Sequence, residues 1–291
     1  MDVHTERDDT GYIDPLFPNP NGPNDTPIII YGYTPSIALA ALAAIWFFIH
    51  LVLHTTQTLR LRNCWWWLTF SVGLVFEVIG YIARSLSAKN DPYNLTYFVL
   101  NYFFIVTAPV FLAAGIYTIL SILIRDTAGG NRFAVVSPRV ILWFFITSDV
   151  VSTGIQISGA VYVGVRESNM QDPTVANNIL LGGLAYQVFA MSIFIILSST
   201  FVVRARHALK AEGRTTFVAV FVLSTLMVYL RTVFRLAETA EGLFGKLATH
   251  EVFFGCLEFA PIALVALLLG VWHPGRCFGL RRERGRDKAS A

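Results

Sequence analysis

Seven apolar runs constrain this chain more than any motif does, each close to the roughly 20 residues a helix needs to cross the hydrocarbon of a bilayer. They fall at about 35–55, 65–84, 96–124, 139–163, 178–203, 215–237 and 252–272. In lipid every backbone polar group must find a partner inside its own segment, so runs of this length read as helices. Composition agrees, with 55% of the 291 residues apolar and 14% charged, against roughly a quarter charged in soluble proteins. The expectation is an all-α, polytopic seven-transmembrane-helix bundle. The third run is long enough to tilt, and Pro109 inside it and Pro261 in the seventh are expected to kink their helices.

The polar remainder sets domains and orientation. Residues 1–34 are acidic and rich in Pro, Asn and Gly, with Asp2, Glu6, Asp8, Asp9, Asp14 and Asp25 against Arg7; they read as a disordered acidic extracellular tail. They lack the basic start and apolar run of a cleaved signal, so the first helix is expected to act as its own insertion signal. Residues 35–275 form the membrane domain and 276–291 a basic cytosolic tail, suited to anionic lipid. The connections between runs 1–2, 3–4 and 5–6, with the C-terminal tail, carry 15 Lys and Arg, and the other side carries 4. The positive-inside rule then puts the N-terminus outside and the C-terminus in the cytosol. Asn94-Leu-Thr96 falls on the outer side as a glycosylation sequon, whereas Asn24-Asp-Thr26 is followed by Pro27 and is the poorer acceptor. Cys64, Cys256 and Cys277 form no disulfide framework; Cys277 is either a palmitoylation target or a plain thiol. Trp65, Trp66 and Trp67 read as an interface belt.

Charges inside the spans are costly and turn toward the bundle interior. Arg231, Arg235 and Glu238 share one helical face, as do Glu77 with Arg84 and Asp149 with Gln156, each pair seven residues apart. Gln187 and Glu258 join them from the fifth and seventh runs. At about 1.5 Å per residue, Glu77 and Asp149 lie near mid-membrane and the others in the outer half, which suggests a polar cavity opening outward. Glu77, Asp149, Arg231, Arg235, Glu238 and Glu258 are expected to meet in one network, because facing charges satisfy one another only where they converge. With Arg84 counted beside Arg231 and Arg235, the four acids outnumber the arginines by one. The opposing reading is a ring of ion pairs that only locks the helices.

Several functions are excluded or disfavoured. Lys89, Lys210, Lys246 and Lys288 all lie in loops or tails, so no buried lysine offers a retinal Schiff base. His50 and His54 read as an interfacial packing pair rather than metal ligands. No phosphate-binding G-x-x-x-x-G-K-[ST] loop occurs, which argues against ATP-driven pumping by this chain. No cofactor, metal or nucleic-acid partner is expected, and no enzyme.

Glu77-x-x-Gly80-Tyr81-x-x-Arg84, Ala108-Pro109 with Ala114 and Tyr117, Asp149-x-x-Ser152-x-x-x-Gln156-x-x-Gly159, Gly183 with Gln187, Arg231-x-x-x-Arg235-x-x-Glu238 and His273-Pro274-Gly275 together resemble the fungal RTA-like proteins, the lipid-translocating exporter family. Tyr31-Gly-Tyr33-x-Pro35-Ser36 and His54 fit as well. The resemblance implies a seven-helix fungal membrane protein, often at the plasma membrane, that exports or flips lipids such as sphingoid bases or phospholipids and gives resistance to toxic amphiphiles. The family pattern commonly has Asp where Glu258 stands. On this reading Glu77, Asp149, Gln156, Gln187 and Glu258 bind the amphiphile, and Arg84, Arg231, Arg235 and Glu238 form a structural polar network. A seven-helix receptor for a lipid-like ligand is the alternative, with short inner loops as its weakness.

Overall fold

In a computed structural model, which describes residues 12–14, 25–61, 64–168, 171–172, 174–242 and 245–278, the seven runs are helices long and apolar enough to cross a membrane. Helix 1 is Ile37–Arg60, helix 2 Leu68–Lys89, helix 3 Leu95–Asp126, helix 4 Pro138–Ser168, helix 5 Thr174–Ala211 and helix 6 Thr215–Glu241. Helix 7 is composite: Glu251–Phe253, a π-helical stretch Phe254–Phe259, then Ala260–Val271. Most outrun their apolar stretch by a turn or more, because polar residues at a membrane edge continue a helix without having to enter hydrocarbon. Helix 3 runs unbroken through Pro109.

Consecutive helices are neighbours, helix 7 closes the ring against helix 1, and helix 3 also reaches helix 6 through the middle. Helix 3 is accordingly the most enclosed, with 67% of its most apolar window inside the protein. Helices 2 and 3 approach closely at Gly80, where a Cβ would lie 2.6 Å from Ile105 Cγ1. Residues 25–36, 90–94 and 245–250 form what is here the upper end; residues 127–137, 212–214 and 272–278 form the lower.

Side chains of helix 1 bond to the backbone of helix 7 from the middle of their seam downward. Trp46 Nε1 donates to Ala263 O (3.3 Å), and Gln57 Nε2 donates to Gly270 O (3.1 Å). His54 lies between them, fully buried. Its Nδ1 accepts from Trp67 Nε1 (3.0 Å), which leaves the proton on Nε2, facing Ala266 O at 3.0 Å. Trp67 is thus no belt residue. It is fully buried and stacks on Phe70 with centroids 4.6 Å apart, whereas Trp65 is exposed. Three successive tryptophans cannot all face one way, and the turn of 3-10 helix at Trp65–Trp67 sends the last one into the core.

The upper end carries a second difference. A disordered reading of residues 1–34 does not extend to the described part of that segment, since Ile29 and Tyr31 are buried against Tyr93, with Tyr33 and Phe98 alongside. Thr26 N donates to Tyr93 O (3.0 Å), Asp14 N to the Tyr93 hydroxyl (3.3 Å), and Asp25 pairs with Asn94 in an isolated bridge. Composition marked this stretch as polar, yet its Ile29 and aromatic side chains supply the apolar surface that docks it. Asn24 and the basic stretch from Arg281 onward lie outside the described residues.

Candidate functional site

Four charged side chains meet between helices 6 and 7. Arg231 donates from Nε and Nη2 to Glu258 Oε1 at 2.8 and 2.5 Å, and Nη2 also donates to the Ile105 carbonyl at 3.0 Å. One turn higher, Arg235 Nη1 donates to Glu238 Oε2 at 2.7 Å. Its Nε lies 3.0 Å from Glu258 Oε2. Both of those atoms lack an aligned hydrogen bond, so that contact is Coulombic. Two arginines against two glutamates leave this quartet neutral.

Two local features of the chain build it. Pro109 has no N–H, so the carbonyl four residues before it, Ile105 O, has no donor inside helix 3; Arg231 supplies one. In helix 7 the π-helical stretch widens the turn, with Ala260 N–H bonded to Gly255 O five residues back. Such a turn shifts the register of everything above Pro261, and Glu258, 2% exposed, sits within it. The first feature was readable from sequence by asking which carbonyl each proline orphans. A double-mutant cycle tests it: Arg231→Lys should cost less in a Pro109→Ala background, where Ile105 O regains a helical donor. The coupling expected in thermal stability is about 0.5–3 kcal/mol, and strictly additive effects would refute the assignment.

Glu77 is the exception in this neighbourhood. It is 2% exposed, lies within electrostatic reach of Glu258, Arg231 and Arg235, and makes no hydrogen bond or ion pair among the described residues. The arginines are already satisfied by Glu238 and Glu258, so Glu77 is left without one of its own.

The expected single network is corrected at Asp149, and Arg84 too lies apart from the quartet. Asp149 Oδ2 accepts from the Tyr117 hydroxyl (2.8 Å), which also lies 3.3 Å from Met191 Sδ, deep between helices 3, 4 and 5. Arg84 points up rather than toward Glu77. Its Nη2 donates to the Tyr33 hydroxyl (2.6 Å) and to Glu251 Oε1 (3.1 Å), and Phe254, Tyr31 and Tyr33 surround it with ring centroids at 4.0, 5.2 and 5.6 Å. Glu251 Oε1 also accepts from Ser36 N (2.9 Å). Burial pushes the Tyr31 and Tyr33 phenols up, with Arg84 opposing, so both remain neutral partners for the guanidinium. At the upper end, where an opening was expected, Arg84 packs among Tyr31, Tyr33 and Phe254.

Gln156 and Gln187 do meet. Gln156 Nε2 donates to Gln187 Oε1 (2.9 Å) and Ser152 Oγ (2.8 Å), while Ser152 Oγ donates to Gly183 O (2.7 Å). Gly159 and Gly183 allow this approach: a Cβ on Gly159 would lie 2.6 Å from Leu180 N. Asn94 is the N-cap of helix 3, its Oδ1 accepting from Thr96 N (3.1 Å) and Tyr97 N (3.3 Å). Among the described residues no group of three or more His, Cys, Asp or Glu side chains converges as a metal site.

Seven spanning helices around buried ion pairs define an integral, polytopic membrane protein. The chain belongs to the RTA1 like protein family, whose model matches residues 70–281, from helix 2 past the end of helix 7. Among its relatives in Saccharomyces cerevisiae is the sphingoid long-chain base transporter RSB1, 29% identical over 285 residues covering 85% of this chain and 74% of the relative. Protoporphyrin uptake protein 1 is 27% identical, covering 88% and 94% respectively. Protein RTM1 is 29% identical, covering 71% and 66%. No solved structure matches.

Proposed function

We propose that this protein moves a lipid-like amphiphile, of the sphingoid-base class, across or out of a fungal plasma membrane, and so contributes to resistance against toxic amphiphiles. The observation that carries the reading is Glu77, a buried carboxylate with no hydrogen-bond or ion-pair partner among the described residues, beside a quartet whose charges already balance. An isolated acid at this depth is costly unless a cation joins it. A protonated amine head group is such a cation, and its chain can stay in lipid. The relatives are named for ligands of different charge, a long-chain base and a porphyrin, so the choice of head group rests on this chain's own residues.

On this reading Glu77 meets the head group directly. Glu258, held by both arginines, sets the local charge, and Asp149, Gln156 and Gln187 offer a second polar position between helices 3, 4 and 5. The charge bias of the connections supports an outside N-terminus and cytosolic C-terminus, with Asn94 then on the side where glycosylation occurs.

Export of a labelled long-chain base from cells tests the proposal. Glu77→Gln should lower the rate at least tenfold at unchanged expression and localisation. Asp149→Asn, which keeps the Tyr117 hydrogen-bond acceptor and removes the charge, should lower it as well. Normal export by both variants would rule out the acidic head-group site. Export independent of the protein, alongside a signalling output that depends on it, would replace the transporter with a receptor.

A further inference from the structure

We propose that Glu77 is an exchange site at which one proton and one amine head group alternate, so that the protein trades protons for cationic amphiphile; this rests on the amphiphile reading above. The argument is one of charge conservation at a buried position. Helix 6 presents Arg231 and Arg235, helix 7 presents Glu258, and Glu238 closes the quartet on Arg235. Those four sum to zero, and each bonds within the quartet. Helix 3 adds neutral groups, the Ile105 carbonyl already taken by Arg231 and the Tyr102 ring beneath Arg235 at 5.7 Å. Helix 1 contributes Phe47, stacked on Tyr81 at 5.6 Å, and lower down His50, bonded to Trp46 O at 2.9 Å. On helix 2 itself, Tyr81 lies a turn above Glu77, and Arg84 two turns above is neutralised by Glu251 at 3.1 Å.

Glu77 therefore has no counter-charge of its own among the described residues, and its surroundings are neutral only when a single positive charge resides on or beside the carboxylate. Two mobile species meet that condition. With a proton bound, the site is the uncharged acid; with an ammonium bound, it is a carboxylate–ammonium pair. Exchange then balances as Glu77–COOH plus R–NH3⁺ giving Glu77–COO⁻ paired with R–NH3⁺ plus one H⁺ released to water. No covalent bond to carbon or nitrogen breaks, and the site's net charge stays zero throughout. A transmembrane proton gradient is then the energy source, which a chain without a phosphate-binding loop otherwise lacks. It also explains why two arginines so near do not capture Glu77. Were Glu77 held by an arginine, the site would have no vacancy for a mobile cation.

The test is made on the full-length protein in lipid nanodiscs, in weak buffer with a pH indicator, at a pH where the free base carries its own proton. Binding of sphinganine should release about one proton per base bound, and its neutral N-acetyl derivative should release none. In infrared difference spectra, adding sphinganine should remove a carboxylic-acid C=O stretch that Glu77→Gln lacks from the start. Glu77→Asp, which keeps the acid, should keep the proton release and so separates exchange from any folding defect of the Gln variant. Sphinganine bound with no proton release would overturn the exchange and leave the amphiphile reading standing. No sphinganine binding to correctly folded protein would overturn both. Proton release undiminished in folded Glu77→Gln would move the exchange to another acid and sink the assignment.

Discussion

Arg231→Ala should abolish most correctly folded protein. Arg231 is 1% exposed and Glu258 2%, so the change strands a buried carboxylate and also leaves Ile105 O without the donor that Pro109 denies it. Breaking a buried pair by removing one partner costs about 3–5 kcal/mol, which is a large share of a typical folding stability of roughly 5–15 kcal/mol. Arg235→Ala should cost less, because Glu258 keeps Arg231 and the half-buried Glu238 can turn to water. The exposed Lys246→Ala should cost nothing measurable. Replacing Arg231 and Glu258 together by Met and Gln should be milder than Arg231→Ala alone. The measure is the monodisperse fraction in detergent with its thermal midpoint, and equal values for Arg231→Ala and Lys246→Ala would refute the buried-pair account.

Gly159→Leu should be comparably damaging for a purely steric reason. A Cβ there meets Leu180 N, Cα and Cβ at 2.6, 2.8 and 2.9 Å. Two of those atoms are backbone and cannot swing aside, so helices 4 and 5 must separate, pulling apart Gln156 from Gln187 and Ser152 from Gly183. Ordinary overpacking costs about 1–3 kcal/mol, and loss of this hydrogen-bonded seam adds to it. Gly154→Leu on the same helix is the control, since nothing lies within 4 Å of its added Cβ. It should behave as wild type in the same thermal assay, since Leu is the better helix former, and similar losses for both glycines would refute the contact account.

The seven spans were legible because hydrocarbon imposes a length and a composition that few other segments satisfy. The quartet was legible in part, since Arg231, Arg235 and Glu238 share a face by spacing and Glu258 had to answer them. Helical spacing names a face, however, and not the neighbour that face meets. Arg84 and Glu77 share a stripe on helix 2, yet seven residues is about 10 Å of rise, enough for the long guanidinium to reach up to Glu251 and Tyr33 while the carboxylate stays below. Asp149 failed the one-network expectation for a related reason: with helix 3 in the middle, its carboxylate accepts from the Tyr117 hydroxyl of that helix. A phenol inside an apolar run carries no charge to flag it. The packed part of the N-terminal segment was hidden by averaging, its few aromatic anchors diluted among Pro, Asn and Asp.

The carbonyl that Pro109 leaves open on helix 3 also has a consequence for biosynthesis. Its donor lies 126 residues further along the chain, so helix 3 emerges from the ribosome before helices 4 and 5 and most of helix 6 are made. An unsatisfied carbonyl in hydrocarbon costs several kcal/mol, which holds nascent helix 3 back from open lipid, wetted or sheltered, until helix 6 arrives. The helix 1 and helix 7 seam runs the other way, because Gln57 is made 213 residues before Gly270 and its donor is already waiting. Chains truncated after helix 5 should thus leave helix 3 extractable or degraded, and chains extended through helix 6 should not, which makes the middle helix of the finished bundle the last of the early ones to settle.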